Sequence, residues 1–221
     1  HFKELQSRGC AIDIVSIHLG SMTGVKVYKS IDNVVNFSMY DIVVVANHTS
    51  QHASTYKSIR SMYNGLMLVE KPTRFENKVV SHDANCFVGY DLRFSPLFSY
   101  LFKNIYLLGN IYQVHSYCGQ DLNQWRDRPI KETSSVLDKF GGVINDLSHE
   151  LDYLFWVFEQ VDLVSSIYNQ KSYLGIDQVE YTTLLLESND VQISCQLNYL
   201  DRIPTRFLRI NGTEGYIVLD F

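Results

Sequence analysis

Two almost wholly apolar runs in the first half of the chain constrain its fold more than any other feature. Residues 41–46 (DIVVVA) and 66–69 (LMLV) carry hardly any polar side chain. Runs of this kind are typical of strands in a parallel sheet that is buried on both faces. Residues 51–63, which lie between them, show helical signals, and residues 11–17 (AIDIVSI) form an earlier β-branched strand. Strands that alternate with helices predict a doubly wound α/β layer.

The second half of the chain has a different pattern, in which short strands follow one another with few helices. Turn sequences at residues 188–190 (SND) and 211–215 (NGTEG) are typical of hairpin connections. The sequence therefore predicts an antiparallel or mixed sheet with at least one helix against it. Along the chain we predict further strands at residues 87–93, 111–117, 161–168, 181–187, 191–199, 207–211 and 215–219, and further helices at residues 31–37 and 95–102.

Residues 141–156 (GGVINDLSHELDYLFW) predict a helix that starts at a glycine pair. Asp146, His149 and Asp152 recur at intervals of three, which places them on one helical face. Such a helix buries one side and turns an acid/base row towards a cleft. A buried helix whose polar row hydrogen-bonds to neighbouring loops is the alternative, and it stays open at this point. Apolar residues recur on the other face at spacings of three and four, namely Leu147, Leu151, Leu154 and Phe158.

Two polar loops directly follow the buried strands. The first begins with Asn47 and includes Thr49, and the second is Glu70-Lys71-Pro72. Ligands of doubly wound sheets bind at the carboxyl ends of the strands, so both loops are candidate binding segments. A surface lysine after a strand is the simpler interpretation of Lys71 taken by itself.

Composition narrows the class of protein. The chain has 221 residues, of which 46% are hydrophobic and 19% charged, as expected of one large or two modest globular domains. A formal net charge of −5 argues against a nucleic-acid partner. The four cysteines are scattered without a C-x-x-C pair, so we expect neither a metal site nor a disulfide framework. No apolar run approaches the roughly 20 residues that span a bilayer, and no signal peptide is visible, so we expect a cytoplasmic protein without a membrane partner.

Several of these motifs together resemble a known family. The Glu70-Lys71-Pro72 loop is followed by residues 88–94 (VGYDLRF), by the pair Trp125-Arg126, by the glycine pair and by the row from Asp146. In this order, over nearly the whole chain, they resemble the glucose-fructose oxidoreductase and inositol dehydrogenase family, often called Gfo/Idh/MocA. The resemblance implies an N-terminal Rossmann domain (residues 1–93) and a C-terminal α/β domain with a large, mostly antiparallel open sheet (residues 94–221). It also implies an enzyme that oxidises or reduces sugars, cyclitols or sugar nucleotides with NAD or NADP.

The resemblance also implies catalytic roles. Lys71 and His149 match the family's catalytic lysine and histidine, and Asp146 matches its catalytic-site aspartate. These residue types suit the chemistry, because a proton must leave or join the substrate oxygen when a hydride moves between its carbon and a nicotinamide ring. A lysine with a depressed pKa or a histidine near neutrality is able to carry that proton. Asp146 would orient the substrate or the imidazole.

Binding residues are carried over in the same way. The candidate cofactor-binding residues are Asn47, Thr49, His52, Glu70, Lys71, Trp125 and Arg126. The candidate substrate-binding residues are Tyr90, Arg93, Asp146 and His149. Without the resemblance, a Trp-Arg pair in a loop is as often a cation over a ring on the surface, and Tyr90 and Arg93 simply close the last strand of the parallel sheet.

Two features depart from the family pattern. The chain begins within a helix, so we expect that the first strand and the glycine-rich turn that seats a pyrophosphate lie upstream. Without that segment, nucleotide affinity would be poor. Ile17, His18 and Leu19 stand where an acidic residue would hold the ribose hydroxyls of NAD. The absence of a carboxylate there favours NADP or the use of both cofactors.

Three functions stay open from the sequence. The first is the sugar or sugar-nucleotide dehydrogenase, the second is a glycosidase that uses bound NAD in a transient oxidation and elimination, and the third is a non-catalytic dinucleotide- or sugar-binding sensor. The presence of both Lys71 and His149 argues against the sensor. We also predict a cis Lys71–Pro72 bond. Self-association through the C-terminal sheet is expected as well, because residues 181–187 and 191–199 carry apolar or aromatic residues on both sides.

Overall fold

The first half of the chain folds into two small parallel sheets. The structure is a computed structural model, and it describes residues 1–73, 83–125, 128–169 and 171–221. All neighbouring strands of these two sheets run parallel, which confirms the predicted α/β layer. One sheet pairs β1 (Asp13–Val15) with β2 (Lys26–Tyr28), the other has the order β3 (Ile42–Val45), β4 (Leu66–Val69), β5 (Cys86–Val88), and the helices are α1 (Phe2–Ser7) and α2 (His52–Arg60).

Helix α2 covers one face of the three-stranded sheet. Its Tyr56 and Ile59 are buried in one cluster with Val45, Met67 and Val69. These apolar contacts stabilise β3 and β4 side by side. Because the two strands are parallel neighbours, the loops that follow them start at the same edge of the sheet.

A six-stranded mixed sheet organises the second half. β6 and β9 run parallel, and every other neighbouring pair is antiparallel, which confirms the predicted mostly antiparallel sheet and both hairpins. No helix in the described part of the chain is long and apolar enough to cross a membrane. The strands lie in the order β11 (Gly215–Asp220), β10 (Thr205–Gly212), β6 (Ile111–Gly119), β9 (Val191–Asn198), β8 (Tyr181–Ser188), β7 (Val161–Tyr168), and the helices are α3 (Pro96–Asn104), α4 (Leu122–Trp125), α5 (Ser134–Leu137), α6 (Val143–Asp146) and α7 (His149–Val157).

One face of the six-stranded sheet is buried against helices, and the other is open. Helix α7 packs on the buried face, where the hydroxyl of Tyr153 lies 2.6 Å from Ser116 Oγ. Along β9 the side chains of Ile193, Cys195 and Leu197 are buried, while the alternate positions face outward. The prediction that β9 is apolar on both sides is wrong, because those alternate positions are the polar residues Gln192, Ser194, Gln196 and Asn198. Exposed apolar side chains on the open face come instead from β7, β8 and β11, namely Val164, Ile167, Leu185, Tyr216 and Val218.

The predicted helix at residues 31–37 is wrong. Two short 3-10 turns, Ile31–Asn33 and Phe37–Met39, take its place. Each begins at a residue whose side chain accepts a hydrogen bond from the backbone N–H two positions on, 3.3 Å for Ser30 and 2.9 Å for Asn36. Serine and asparagine compete with the helical ladder in this way, and they stop a helix from forming.

The predicted strand at residues 87–93 is shorter than expected. It ends at Val88, and residues Asp91–Phe94 form a 3-10 turn. Ser95 then caps helix α3 by accepting from Leu97 N at 3.3 Å, with Pro96 at the first helical position, as predicted. The early end of the strand leaves Tyr90 and Arg93 in a connection that faces helix α7.

The predicted continuous helix at residues 141–156 is broken in two. Leu147 has φ −100° and ψ 36°, outside the helical range, so α6 ends before α7 begins. The carbonyl oxygen of Asp146, which a continuous helix would bond to the backbone four residues on, accepts a hydrogen bond from Lys71 Nζ. Asp146 and His149 therefore lie on different helices, and their spacing of three does not place them on one helical face.

Candidate active site

The loops after β3 and β4 are joined by a buried histidine. His52, at the start of α2, is 1% exposed. Its Nε2 lies 2.9 Å from the carbonyl oxygen of Asn47, and its Nδ1 lies 3.1 Å from that of Pro72. Both partners are carbonyl oxygens, which only accept hydrogen bonds. Because a neutral imidazole donates from only one nitrogen, at most one of the two contacts is then a hydrogen bond. His52 was predicted to bind the cofactor, and the structure places its ring beneath both loops.

Lys71 extends from the end of β4 towards helix α6. The Lys71–Pro72 peptide is cis, which confirms the prediction. Lys71 Nζ donates a hydrogen bond of 2.5 Å to the main-chain carbonyl oxygen of Asp146. The sequence separation of these residues is 75, so the contact joins the parallel sheet of the first half to the helices of the second.

His149 lies at the start of α7 beside this contact. Its side chain is 12% exposed. Burial, together with the nearby positive charge of Lys71, lowers the pKa of His149 to about 4, and Asp91 opposes the shift. Nε2 lies 3.6 Å from Asp91 Oδ1, and the ring of Tyr90 meets the imidazole edge-on with centroids 5.6 Å apart. Among the described residues, no hydrogen-bond partner faces the buried Nδ1. The imidazole is therefore uncharged at neutral pH.

The carboxylate of Asp146 is held from the second half of the chain. Its Oδ2 accepts a hydrogen bond from Ser135 Oγ and another, of 2.8 Å, from the hydroxyl of Tyr199. Both donors are fully buried. The sequence did not indicate Ser135 or Tyr199. Tyr199 directly follows β9, and Ser135 precedes the glycine pair by a few residues, but neither position carries a motif.

Arg93 and Asp152 form a two-pronged ion pair at the side of the site. Arg93 Nε and Nη2 donate to the Asp152 carboxylate at 2.8 and 2.6 Å, and the guanidinium lies 5.2 Å from the ring of Trp156. Two nitrogens of the Arg93 guanidinium are thus bonded to Asp152 in this structure.

Tyr90 lies on the same connection as Arg93. Burial raises the pKa of Tyr90, so its hydroxyl is protonated at neutral pH.

A second contact joins the two halves of the chain next to the loop after β3. Asp138 accepts hydrogen bonds from the backbone N–H of Ser50 at 3.1 Å and from its hydroxyl at 3.2 Å. Burial alone would raise the pKa of Asp138, but the hydrogen bonds from Phe140 N and Ser50 lower it below its usual value. Asp138 is therefore a carboxylate at neutral pH, and it anchors the loop that begins with Asn47. The sequence did not indicate this residue.

The remaining predicted cofactor residues lie around the same edge of the parallel sheet. Asn47 is exposed and donates to Thr55 Oγ1 at 2.8 Å, and Thr49 is half-buried at the start of a 3-10 turn. Glu70 accepts from Lys71 N at 3.2 Å and contacts the ring of His1. Trp125 packs against the larger core. Arg126 lies outside the described residues.

This edge of the sheet suits a dinucleotide. It lies at the carboxyl ends of β3, β4 and β5, where doubly wound sheets bind their ligands. A Cβ on Gly89, directly after β5, would lie 3.2 Å from Glu70 Oε1, so the backbone passes close beneath the Glu70 carboxylate. Lys71 reaches from this edge to Asp146 in the second half of the chain, close to His149 at the start of α7.

Comparison with known proteins gives matches at the level of structure. No model of a known protein family matches the chain, and no curated protein sequence does. The WlbA dehydrogenase from Bordetella pertussis, solved with NADH and UDP-GlcNAcA, matches 100% of this chain and 64% of its own at a TM-score of 0.73 and 18% identity. GenD2 from gentamicin A biosynthesis, solved with NAD, matches 89% of this chain and 59% of its own, with a TM-score of 0.70 and 20% identity. The scyllo-inositol dehydrogenase from Lactobacillus casei, solved with NAD(H) and scyllo-inositol, matches 94% of this chain and 75% of its own, with a TM-score of 0.72 and 17% identity.

The chain has the fold of these dehydrogenases. It spans 59% of the length of GenD2 and 64% of the length of WlbA. The match confirms the predicted architecture, a Rossmann-like parallel sheet followed by a large open sheet. At such identities a shared fold does not fix an activity, which has to follow from the residues of the site.

Proposed function

We propose that this protein is an NAD(P)-dependent oxidoreductase that moves a hydride to or from a carbon of a sugar, cyclitol or sugar nucleotide. The observation that carries the proposal is the contact of Lys71, at the carboxyl end of β4, with Asp146 at the end of α6, three residues before His149. Lys71 bonds to Asp146 O, and its charge lowers the pKa of His149. Proteins of the same fold were solved with NADH and UDP-GlcNAcA, with NAD(H) and scyllo-inositol, and with NADH and levoglucosan, which supports this substrate class.

The two side chains have different proposed roles. The bound dinucleotide accepts or supplies the hydride, and the protein handles the proton. In the oxidation direction Lys71 donates a hydrogen bond to the substrate oxygen as negative charge develops on it. The uncharged imidazole of His149 is the proposed acceptor of the proton that leaves this oxygen, and it returns the proton in the reduction direction. Its pKa of about 4 in this structure lies below the value near neutrality that was expected, so the proposed role requires that bound substrate and dinucleotide raise it. Because Asp146 holds Lys71 through its carbonyl oxygen, we assign Asp146 to the orientation of the lysine.

We assign the dinucleotide to the crevice at the ends of β3 and β4. Asn47, Thr49 and Glu70 form its proposed wall, with Trp125 and Arg126 as further proposed contacts. His52 supports this wall by its contacts with both loops. Tyr90, in edge contact with His149, offers a protonated hydroxyl to the substrate, and Arg93 shapes the pocket through its pair with Asp152.

Use of both NAD and NADP is part of the proposal. The loop after β1 contains no carboxylate that would repel a 2′-phosphate. The ammonium of Lys29 donates to the carbonyl oxygens of Ile17 and Leu19 in this loop. Its positive charge next to the loop favours an additional phosphate.

The architecture of the protein extends the proposal. Residues 1–93 are the proposed dinucleotide-binding domain and residues 94–221 the proposed substrate and oligomerisation domain, in line with two separate apolar cores. All four cysteines are unpaired, which is typical of a reducing compartment and supports a cytoplasmic protein.

We further propose that a second copy covers the open face of the six-stranded sheet.

Replacement of Lys71 tests the proposed activity. Hydride transfer is measured by nicotinamide absorbance for the full-length protein with NAD(H) and NADP(H) against inositols, levoglucosan and UDP-linked sugar acids. Lys71→Ala should lower kcat by about 100- to 10,000-fold, the usual worth of a positioned acid or base, and leave dinucleotide affinity nearly unchanged. Lys57→Ala, on the exposed side of α2, is the matched control.

Full turnover in Lys71→Ala would show that the site is assigned wrongly. Dinucleotide binding without hydride transfer to any of these substrates would favour the sensor. Net hydrolysis of a glycoside without consumption of external NAD would identify the glycosidase.

A further inference from the structure

Asp146 accepts hydrogen bonds both at its main-chain carbonyl oxygen and at its side-chain carboxylate. Its main-chain carbonyl oxygen accepts from Lys71 Nζ, and its carboxylate accepts from Ser135 Oγ and from the Tyr199 hydroxyl at 2.8 Å. A charged acceptor strengthens both of the carboxylate's hydrogen bonds. The rotation of the Asp146 peptide, and with it the direction of the carbonyl oxygen that meets Lys71, is thus coupled to two hydroxyl groups from elsewhere in the chain.

Ser135 and Tyr199 are themselves fixed by the backbone. Gly142 N donates to the carbonyl oxygen of Ser135 at 2.9 Å, and a Cβ on Gly141 would lie 2.3 Å from the same oxygen. Only glycine permits this crossing, which brings α5 against the start of α6. Tyr199 N donates to Glu180 O at 2.9 Å, at the end of the β8–β9 pair. Both hydroxyl groups are fully buried, and they have little room to move.

We propose that Ser135 and Tyr199 are positioning residues that hold the Lys71 ammonium through Asp146. Their hydroxyl groups fix the carboxylate of Asp146, which restrains the C-terminal end of α6. The carbonyl oxygen of Asp146, at that end, then binds the lysine. The catalytic consequence rests on the proposed function, because a proton-handling group displaced by about 1 Å loses up to about 100-fold in rate. The positioning itself does not rest on it, since it concerns contacts within this chain.

Removal of either hydroxyl group tests the inference. Tyr199→Phe and Ser135→Ala each take away one donor, and Ser135→Thr keeps the hydroxyl. The matched control is Tyr153→Phe, because Tyr153 is 1% exposed and its hydroxyl also meets a serine at 2.6 Å, but this pair joins α7 to Ser116 on β6. The readout is the rate at which a water-soluble acetylating reagent modifies Lys71, followed by peptide mass spectrometry at one pH for each variant.

The inference predicts a specific pattern of rates. An amine that loses its hydrogen-bond acceptor is more mobile and more often neutral, so Tyr199→Phe and Ser135→Ala should raise the acetylation rate of Lys71 about threefold or more. Tyr153→Phe and Ser135→Thr should stay within twofold of the unaltered protein. If Tyr199→Phe and Ser135→Ala leave the rate unchanged, or if Tyr153→Phe raises it as much, the inference is overturned. The two donors lie on different elements, so one variant that fails to fold leaves the other to decide.

Kinetics separate this inference from the proposed function. Tyr199→Phe should lower kcat about tenfold with KM and dinucleotide affinity within twofold, as expected when a catalytic group is misplaced in a site that still binds. Absence of hydride transfer from the unaltered protein would refute the proposed function and leave the acetylation result to decide the positioning. An equal fall in kcat for Tyr153→Phe would mark a structural effect and count against the inference.

Discussion

The imidazole of His149 shows how burial sets the chemistry of a single residue. Burial, and then the charge of Lys71, lowers the folded-state pKa of His149 to about 4, against a usual value of 6.5. Between these two values the unfolded chain binds a proton that the folded chain does not. The contribution of His149 to stability is complete above pH 6.5, and it is lost as the pH falls towards 4.

The free energy of unfolding should therefore depend on pH through this residue. Each pH unit below 6.5 should remove about 1.4 kcal/mol, or about 2 kcal/mol between pH 7 and pH 5, and His149→Gln should remove that loss. Urea denaturation of both proteins at pH 7 and pH 5 measures the difference. His18→Gln, at an exposed position, serves as the control and should behave like the unaltered protein. Equal losses in His149→Gln and the unaltered protein would contradict the lowered pKa.

The residues of the site were predictable only in part. Lys71 and His149 stand in a recognisable order, so the resemblance was sufficient to single them out, and their catalytic roles stay a prediction. In the structure, burial and then the charge of Lys71 lower the pKa of His149. The conformation of Asp146 was not predictable, because it depends on hydrogen bonds from Ser135 on α5 and from Tyr199 directly after β9. Hydrogen bonds between residues 11 and 53 positions apart leave no periodic trace in the sequence.

At the scale of elements, a buried ion pair connects α7 to the six-stranded sheet. Glu150, next to His149, is 0% exposed, and its Oε1 lies 2.8 Å from Nε of Arg206 on β10. Burial raises the pKa of Glu150, and the guanidinium of Arg206 opposes the shift. A charge removed from water in this way destabilises the fold strongly when its partner is lost, whereas an apolar pair in the same place costs little.

The double substitution of this pair should cost less stability than the single substitution of Arg206. Arg206→Met leaves the Glu150 carboxylate unpaired and should destabilise the protein by about 3 to 5 kcal/mol, while Glu150→Leu combined with Arg206→Met should recover most of that loss. Urea unfolding at pH 7 measures both. The control is Arg8→Met, because the side chains of Arg8 and its partner Glu4 are 71% and 64% exposed, and loss of this pair should cost at most about 1 kcal/mol. Additive losses in the double variant would show that the pair is not coupled.

Elements with strong local signals were predicted well, and those decided by distant contacts were not. Residues 66–69 form a strand with the predicted bounds, because four apolar residues between turns have few alternatives. The break between α6 and α7 was missed, since it arises where Asp146 O turns to Lys71, a residue 75 positions away. The spacing of apolar residues predicts which face of a helix is buried. It does not predict which of the helix's carbonyl groups accepts a hydrogen bond from a distant side chain.

At the scale of the whole molecule, the open face of the six-stranded sheet is the proposed surface for self-association. Val164, Ile167 and Tyr216 are between 61% and 68% exposed there, and Leu185 and Val218 are 44% and 46% exposed. Tyr117 and Phe207 stack on neighbouring strands with their rings 5.5 Å apart. The exposed apolar residues lie on β7 and β8 at one edge of the sheet and on β11 at the other, with the polar outward positions of β9 between them. Exposed apolar side chains of this kind favour an interface, and we propose that a second copy covers them.

The protein should therefore form oligomers at micromolar concentration through this face. Leu185→Lys, on β8 one strand from the edge of the sheet, places an ammonium group in the proposed interface and should shift the molar mass to that of one chain, because an unpaired charge in an apolar interface is costly. Light scattering coupled to size exclusion measures the mass. Leu107→Lys is the matched control, since Leu107 is 55% exposed outside the six-stranded sheet and should leave the mass unchanged. A single-chain mass for the unaltered protein at about 50 μM would exclude a second copy as the cover, because a stable interface between two copies should persist far below that concentration.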